Sequence, residues 1–362
     1  MLKTRKQQKL FTISFAITCI ATLLISGIAY ISWNNIVRPP DIPIRVEASI
    51  SHQDRVENNP TQNTESLPTS EDDNTEYEPE PPAPTVRQPE ERKPLFYTFL
   101  IVGLTEGYNA NTIMVASYDG NAGQGHVISI PRDTQVDFQR NNRKIVAAYN
   151  IGRANGRGHA GGVERLKMEV ESIVGFWPDF YITIDYEAFT RIVDSVGGVE
   201  IYVPFHKLYD DPWQNLHINI PPGLQLLDGE NALHFARYRR GNDRRQSITD
   251  YQRIENQQQV ISAMMQNLLT PASIRRIPEF IRIFNDHFAS DLAYGELTWF
   301  ANHVRRSGGT DALEFHTLPM RGTSGAPSWY EWADEAGILE LVNRTVNPFV
   351  RDITASDIRI VP

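Results

Sequence analysis

Residues 179–204, with the sequence DFYITIDYEAFTRIVDSVGGVEIYVP, contain the pattern that decides the fold class. The apolar run at 180–184 predicts a strand, the stretch at 187–195 a helix, and the run at 199–203 a second strand. Two adjacent glycines at 197–198 predict a turn between that helix and the second strand. A strand, a helix and a strand in so short a stretch predict a layered α/β protein.

The same alternation continues on both sides of this stretch. Upstream, apolar runs predict strands at 96–103, 112–118 and 126–130, followed by a helix at 163–174. Downstream, the pattern predicts a strand at 233–238, helices at 249–269, 277–288 and 294–306, a strand at 313–318 and a last helix at 330–346. We therefore expect a single domain at 95–350 with a central mixed β-sheet flanked by helices, and a short C-terminal tail at 351–362.

The N-terminus has the pattern of a membrane anchor. Residues 1–9 are basic, and residues 10–33 form an uncharged apolar run that is long enough to cross a bilayer. The basic flank predicts a cytoplasmic N-terminus and a domain outside the cell membrane. The alternative is a cleaved signal peptide, although the apolar run is longer than the core of such a peptide and ends without a clean small-x-small site.

Between the anchor and the domain, residues 34–94 are acidic and rich in proline. Within it, residues 41–93 hold 13 acidic and 5 basic residues, which gives −8 of the chain's formal net charge of −9. Such a composition cannot bury enough apolar surface to fold, which predicts a disordered, extended linker. The negative charge also argues against nucleic acid as a partner. The chain has one cysteine, Cys19, which excludes a disulfide framework in the outer domain.

Arginines recur at predicted element ends in the second half of the domain. Arg132 follows a strand, whereas Arg237 and Arg239 are two apart in a predicted strand and so would point to one face. Arg253 lies in the first turn of a predicted helix, where a cation opposes the helix dipole, and Gln257 follows one turn later. Guanidinium groups converging near a helix N-terminus suit a phosphate or a pyrophosphate.

A second interpretation of the arginines needs no ligand. They can be solvated, or they can pair with nearby acidic residues at positions 243, 250 and 255. Spacing alone leaves the two interpretations open.

Other kinds of site have little support. The nine histidines include no HExxH motif and no closely spaced pair, which argues against a histidine-based metal site. The glycine-rich turn at 119–125 lacks the lysine of a P-loop, and no G-x-S-x-G sequence is present.

Five motifs in order resemble the LytR-CpsA-Psr family of cell-wall glycopolymer transferases. The motifs are SIPRDT (129–134), KIVAAY (144–149), the stretch 179–204 quoted above, LDGENALHFARYR (227–239) and DYQRIENQQQ (250–259). The resemblance extends over about residues 96–349 and includes a TLP turn at 317–319.

The resemblance implies an extracytoplasmic phosphotransferase with a lipid-accepting cleft. It would move a glycopolymer from a polyprenyl-pyrophosphate carrier to peptidoglycan at the cell membrane, with Mg²⁺ as cofactor. By motif, Arg132 and Asp133 take the catalytic positions. The residues expected to hold the pyrophosphate are Lys144, Arg237, Arg239, Arg253 and Gln257.

Several positions depart from the family pattern. Where the family has two aspartates that approach the metal, this chain has Thr105 or Glu106 and then Asn111. An amide can coordinate Mg²⁺ but brings no charge, so Glu106 and Asn111 are the expected metal residues. The usual Arg-Gln-Gln triplet begins with Asn256, and Val146 replaces the asparagine that closes the lysine motif.

These departures leave two alternatives beside the transferase. One is a non-catalytic envelope module that binds lipid-linked polymer or a partner enzyme, and the other is a hydrolase that cleaves the pyrophosphate with water. A role in transcription is disfavoured, since a domain outside the membrane cannot reach DNA.

Overall fold

The computed structural model describes residues 38–43, 90–105, 109–137, 143–214, 216–242, 246–268, 270, 282–283, 288–307, 313–324 and 329–361. The predicted anchor at 10–33 and most of the predicted linker lie outside the described residues. In the part of the chain that the structure describes, no helix combines the length and the apolar character needed to cross a bilayer.

A six-stranded mixed sheet forms the centre of the domain, as the sequence predicts. The strand order is β10-β3-β2-β1-β4-β9. These strands are β1 (Phe96–Leu104), β2 (Ala110–Asp119), β3 (Gln124–Ile130), β4 (Phe180–Ile184), β9 (Phe288–Ser290) and β10 (Leu313–Thr317). The pairs β1–β4 and β3–β10 are parallel, whereas β1–β2, β2–β3 and β4–β9 are antiparallel.

Helices cover both faces of this sheet. On one face, α1 (Ala148–Gly152), α2 (Gly158–Val174) and α7 (Glu335–Thr345) pack on alternate strand residues such as Leu100 and Ile128. On the other face lie α5 (Asp250–Leu268) and α6 (Tyr294–Arg306), the latter as predicted, with Ile261 and Phe300 in contact with the sheet. The period of two along each strand explains why neighbouring residues enter different cores.

A smaller cluster of elements packs beside α5. It contains α3 (Tyr186–Ser195), α4 (Gly229–Arg237) and two hairpin-like sheets, β5 (Val199–Val203) with β8 (Gly223–Leu227), and β6 (Lys207–Asp211) with β7 (Leu216–Ile220). The apolar side chains of these elements share one core with Val260 of α5. The segment 199–203 is a strand, as predicted, whereas β6, β7 and β8 were not predicted.

The predicted strand at 233–238 is wrong, because this segment belongs to helix α4. The helix begins after Asp228, whose Oδ1 accepts a hydrogen bond from the Asn231 amide at 2.8 Å. Such a cap satisfies a backbone N–H that has no partner inside the helix. The buried residues Ala232, Phe235 and Ala236 have helical spacing rather than alternation. Arg237 therefore ends a helix. The prediction that Arg237 and Arg239 share one face of a strand is wrong.

The end of the chain also differs from the prediction. The last helix begins at Glu335, because β12 (Glu331–Ala333) precedes it and pairs with β11 (Met320–Thr323). Beyond residue 350, where the sequence predicts a tail, Ile353 and Ile358 are buried in the main core. Most of the predicted helix at 277–288 falls outside the described residues. Within it, residues 282–283 are helical, whereas Phe288 begins β9.

Candidate functional site

A deep cleft separates the central sheet from the smaller cluster of elements. Its volume is about 1020 Å³, near the upper end for small-molecule sites. One wall comes from β1 and β2, and the others come from α3, α4, β7 and α5. Apolar side chains that line it include Ile101, Met114, Phe189, Ile218, Leu233 and Ile261. The cleft can therefore accept a long apolar group.

Three arginines of the cleft converge on a single carboxylate. Oδ1 of Asp250 lies 3.2 Å from Nε of Arg253, 3.4 Å from Nη2 of Arg239 and 3.7 Å from Nη2 of Arg132. Arg132 follows β3, Arg239 follows α4, and Arg253 stands one turn after Asp250 at the start of α5. The pairing interpretation is thus confirmed for Asp250, and the arginines outnumber this carboxylate.

Two of the three arginines are largely shielded from solvent and have donors without a partner in the described part of the chain, whereas Arg239 is 53% exposed. The Arg253 side chain is 6% exposed and that of Arg132 is 17% exposed. Nε of each is buried and has no hydrogen-bond acceptor among the described residues. Burial, and next the charge of Arg132, lower the pKa of Arg253 to about 10. Excess positive charge and unsatisfied N–H groups in a poorly solvated site favour an anionic ligand.

Two further predicted residues line the same cleft. Arg237 ends α4, and its guanidinium carbon lies 4.5 Å from the centre of the Tyr186 ring, which is a cation–π geometry. Gln257 lies one helical turn after Arg253 and faces the cleft beside it. Arg240 also lines the cleft, although it was not predicted as a site residue. Its position directly after Arg239 in the sequence could have indicated it.

Asp133 and Lys144 lie beside the cleft, close enough for the charge of Asp133 to act on Arg253. Neither lines the cleft, and they form an ion pair with Nζ and Oδ1 3.0 Å apart. This pair links the turn after β3, which contains Arg132, to the segment that begins at Lys144. The Val146 amide of the same segment donates to the Arg132 carbonyl at 3.1 Å. Thr134 closes the turn by donating from Oγ1 to the Pro131 carbonyl at 2.6 Å. The structure thus makes Asp133 and Lys144 supports of the turn that carries Arg132.

A buried carboxyl group beside the arginines was not predicted from the sequence. Glu331 of β12 is 7% exposed, and Tyr251 donates to its Oε2 at 3.2 Å. Burial raises the pKa of Glu331, and the Tyr251 hydrogen bond opposes that rise. No sequence motif marks Glu331, since its position depends on the pairing of two late strands.

The described residues provide few of the donors that Mg²⁺ prefers. Asn111, Thr105 and Asn109 line the cleft and bring only neutral oxygens. Among the described lining residues, Asp185 is the one carboxylate, and its Oδ1 accepts the Ala188 amide at 2.7 Å as the cap of α3. Mg²⁺ is usually held by one or two carboxylates together with phosphates and water. These residues therefore do not fit the expected metal site, and Glu106 lies outside the described residues.

One protein-family model and several characterised proteins are similar to this chain in sequence. The model of the LytR_cpsA_psr family matches residues 63–346. The polyisoprenyl-teichoic acid–peptidoglycan teichoic acid transferase TagV of Bacillus subtilis is 26% identical over 245 residues, which cover 66% of this chain and 59% of that protein. The cell wall biosynthesis protein LcpA of Corynebacterium glutamicum is 26% identical over 253 residues, covering 64% of this chain and 47% of LcpA. The match thus spans less than two thirds of either relative.

Solved structures show the same fold. The crystal structure of B. subtilis TagV superposes with a TM-score of 0.57 at 20% identity, covering 70% of this chain and 96% of that one. A structure described as TagT bound to LIIa-WTA superposes with a TM-score of 0.54 at 18% identity, covering 69% of this chain and 89% of that one.

Proposed function

The chain belongs to the LytR-CpsA-Psr family, and on that premise we propose that it is a cell-wall glycopolymer transferase. It moves a glycopolymer phosphate from a polyprenyl-pyrophosphate carrier to peptidoglycan. In support, TagV is named for a polyisoprenyl-linked donor and a peptidoglycan acceptor. The reaction takes place outside the cell membrane, with residues 10–33 as the anchor and the acidic linker as a tether.

The observation that carries this proposal is the composition of the cleft. Three arginines share one carboxylate, Asp250, in a cavity whose remaining walls are largely apolar. A polyprenyl pyrophosphate has the matching composition, with a diphosphate for the arginines and an isoprenoid chain for the apolar walls. Neither a free sugar phosphate nor a neutral lipid would satisfy both parts.

In the proposed reaction, an acceptor hydroxyl of peptidoglycan attacks the phosphorus that is bonded to the glycopolymer. A new P–O bond forms, and the bond from that phosphorus to the bridging oxygen breaks. Polyprenyl phosphate leaves with the electron pair and takes up the proton of the hydroxyl. Arg132 stabilises charge on the transferring phosphoryl group, while Arg237, Arg239 and Arg253 hold the diphosphate and Gln257 donates to it. Asp133 and Lys144 position the turn that carries Arg132.

Mg²⁺ is not assigned a step. Were Mg²⁺ to bind, Asn111 and Glu106 would lie nearest to it, and the ion would screen phosphate oxygens. The guanidinium groups of this chain supply most of the positive charge in the proposed site.

A second candidate follows from the neutral oxygens at Thr105, Asn109 and Asn111. With no carboxylate among these three described residues, the domain would hold lipid-linked polymer without turning it over. This binding module would use the same cleft and the same arginines.

The test uses the full-length protein in detergent with a polyprenyl-pyrophosphate-linked glycopolymer and soluble peptidoglycan strands. Mass spectrometry identifies the products, with Arg132→Ala as the site variant. Arg305→Ala is the matched control, since Arg305 is exposed on α6. We expect a peptidoglycan adduct and polyprenyl phosphate from the wild type and the control, and a strong loss in Arg132→Ala.

Three other results would overturn the transferase. A free phosphorylated glycopolymer means that water is the acceptor and that the chain is a hydrolase. Donor binding without turnover identifies the binding module. Equal activity of the Arg132→Ala variant and the wild type removes the proposed role of the arginines.

A further inference from the structure

A cluster of two histidines and one glutamate lies at the edge of the central sheet. His126 is on β3, and Glu314 and His316 are on the neighbouring edge strand β10. The parallel register places Glu314 directly opposite His126. His316 is two residues beyond Glu314 and therefore on the same face of the strand. Three metal-ligating side chains thus meet although the sequence separates the two histidines widely.

This cluster lies on the sheet face opposite the cleft. Ile128, which shares its strand face with His126, belongs to the core that contains α2 and α7. Val127 and Phe315 point the other way and pack with Ile261 of α5, a residue of the cleft wall. The three side chains are therefore separate from the proposed catalytic site.

The three candidate ligand atoms are close enough to share one ion. Nδ1 of His126 lies 3.3 Å from Nε2 of His316 and 3.4 Å from Oε2 of Glu314. The remaining pair, Nε2 of His316 and Oε2 of Glu314, is 3.8 Å apart. Ligands at about 2.0–2.1 Å from a tetrahedral zinc ion stand roughly 3.4 Å from one another. Two of the three edges already have that length, and a small rotation of the exposed Glu314 side chain shortens the third.

The surroundings of the histidines also suit a metal. Their side chains are 22% and 13% exposed, and imidazole nitrogens are among the commonest metal ligands in proteins. The charged groups that face them are Glu314 and, from α7, Arg344. Glu314 brings the negative charge that favours a dication.

A hydrogen bond between the histidines is the simpler account of the contact. It requires one ring nitrogen to carry a proton and the other to accept it, and Glu314 has no part in it. The approach of Glu314 to both nitrogens favours a third partner that all three atoms can bind.

From this geometry we propose that His126, Glu314 and His316 form a binding site for a first-row transition-metal dication such as Zn²⁺. A water molecule completes the tetrahedron. Two nitrogen ligands select against Mg²⁺ and Ca²⁺, which prefer oxygen. The ion cross-links the edge strand β10 to β3, because its ligands come from both strands. It also steadies α5, because the Gln258 side chain donates to the His316 carbonyl at 3.1 Å and to Ser129 Oγ at 3.0 Å.

The experiment uses the full-length protein stripped of metal by a chelator and dialysed. Calorimetric titration with Zn²⁺ gives the stoichiometry and the Kd, and the visible absorption bands of bound Co²⁺ report tetrahedral coordination. The site variants are His316→Ala and Glu314→Gln. The control is His206→Ala, which removes an exposed histidine outside the central sheet. Circular dichroism shows whether each variant is folded.

We expect one high-affinity ion per wild-type chain, a rise in Tm with Zn²⁺, and no competition by millimolar Mg²⁺. His316→Ala should weaken binding by at least about 100-fold, because losing a residue that only orients a ligand already costs about 10–100-fold at metal sites. Glu314→Gln should weaken it less, and His206→Ala should leave it unchanged.

Equal Zn²⁺ affinity in the wild type and His316→Ala, or octahedral Co²⁺ spectra, would overturn the proposal. If His316→Ala fails to fold, folded Glu314→Gln decides it, since unchanged binding there also overturns the site. Glycopolymer transfer is not the readout, so failure of this site and failure of the proposed function are distinguishable.

Discussion

Asp250 and Arg253 form an ion pair within the first turn of α5, with Oδ1 and Nε 3.2 Å apart. Neither atom makes a hydrogen bond to another described residue, although both are buried. Asp250 also forms ion pairs with Arg132 and Arg239, so one carboxylate sets the distances between three guanidinium groups. The turn of helix that supplies both residues of this pair is therefore the centre of the proposed site.

Asp250→Asn tests this spacing role. Loss of the carboxylate leaves three cations without their common counter-ion, and the arginines should move apart. We expect turnover at saturating donor to fall by roughly 100-fold, the scale of a 1 Å misplacement, while donor affinity is retained by the extra positive charge. Transfer kinetics and donor titration measure the two effects. Asp352→Asn, at an exposed position, is the control, and an equal loss in kcat and affinity would contradict a spacing role.

Arg253→Lys tests the shape of the donor group rather than its charge. A lysine keeps the cation but loses the planar fork that binds two phosphate oxygens. Charge-assisted hydrogen bonds contribute about 1.5–3 kcal/mol, so we expect kcat/KM to fall by roughly 10–100-fold. The measurement is steady-state transfer, with exposed Arg306→Lys as the control. Full activity in Arg253→Lys would mean that charge alone matters at this position.

Asn111→Asp tests whether the asparagine at this position, where the family has an aspartate, weakens Mg²⁺ binding. The substitution adds a carboxylate to a part of the cleft that otherwise has neutral oxygens. We expect the Mg²⁺ concentration for half-maximal transfer to fall about tenfold, which corresponds to about 1.4 kcal/mol. The measurement is transfer rate against Mg²⁺, with Asn219→Asp on the outer hairpin as control. The same Mg²⁺ dependence in both variants would show that Asn111 lies away from the ion.

Leu233→Trp tests the apolar part of the cleft. Leu233 lines the cavity from α4, and an indole there should reduce its volume. We expect weaker binding of donors with long polyprenyl chains, by roughly tenfold, and little change for short-chain analogues that fill less of the cavity. Binding titrations across chain lengths provide the comparison. Leu224→Trp is the control, since Leu224 is 63% exposed on β8. Equal losses for long and short donors would indicate damage to the fold instead.

Asp357→Asn tests the packing of the C-terminal segment and its pH dependence. Arg351 donates to both Asp357 oxygens at 2.8 and 2.9 Å, and these bonds lower the pKa of Asp357 from 3.8 to about 2. A lowered folded-state pKa means that the stabilisation is complete above the unfolded value near 3.8 and is lost as the pH falls towards 2. Urea unfolding at pH 6 should therefore show the wild type to be more stable than Asp357→Asn.

Between pH 4 and pH 3 that difference should shrink steadily. A constant difference across this range would mean that the carboxylate charge of Asp357 contributes nothing. The segment matters to the domain because it carries Ile353 and Ile358 into the main core.

Local patterns predicted much of this fold. The alternation of apolar residues located β1 to β5, β10 and the helices α2, α3, α5 and α6 to within a few residues. The segment at 233–238 failed because a short amphipathic helix and a strand can share the same apolar run, and the Asp228 cap decided between them. The strands β6 to β8 were not predicted, although β4 and β5 are equally short. In β6 and β8 the usual polarity of buried and exposed residues is reversed, since Lys207 is buried and Leu224 and Leu226 are exposed.

By itself, the sequence determined the α/β class and the motif order that identifies the family, because these depend on residues close together in the chain. Tertiary structure alone decided that Arg132, Arg239 and Arg253 share Asp250, and that His126 meets His316 across 190 residues. Such convergence depends on how strands pair and helices pack, and side chains far apart in sequence carry no local signal of it. The chemistry of this protein therefore follows from long-range packing acting on a locally encoded scaffold.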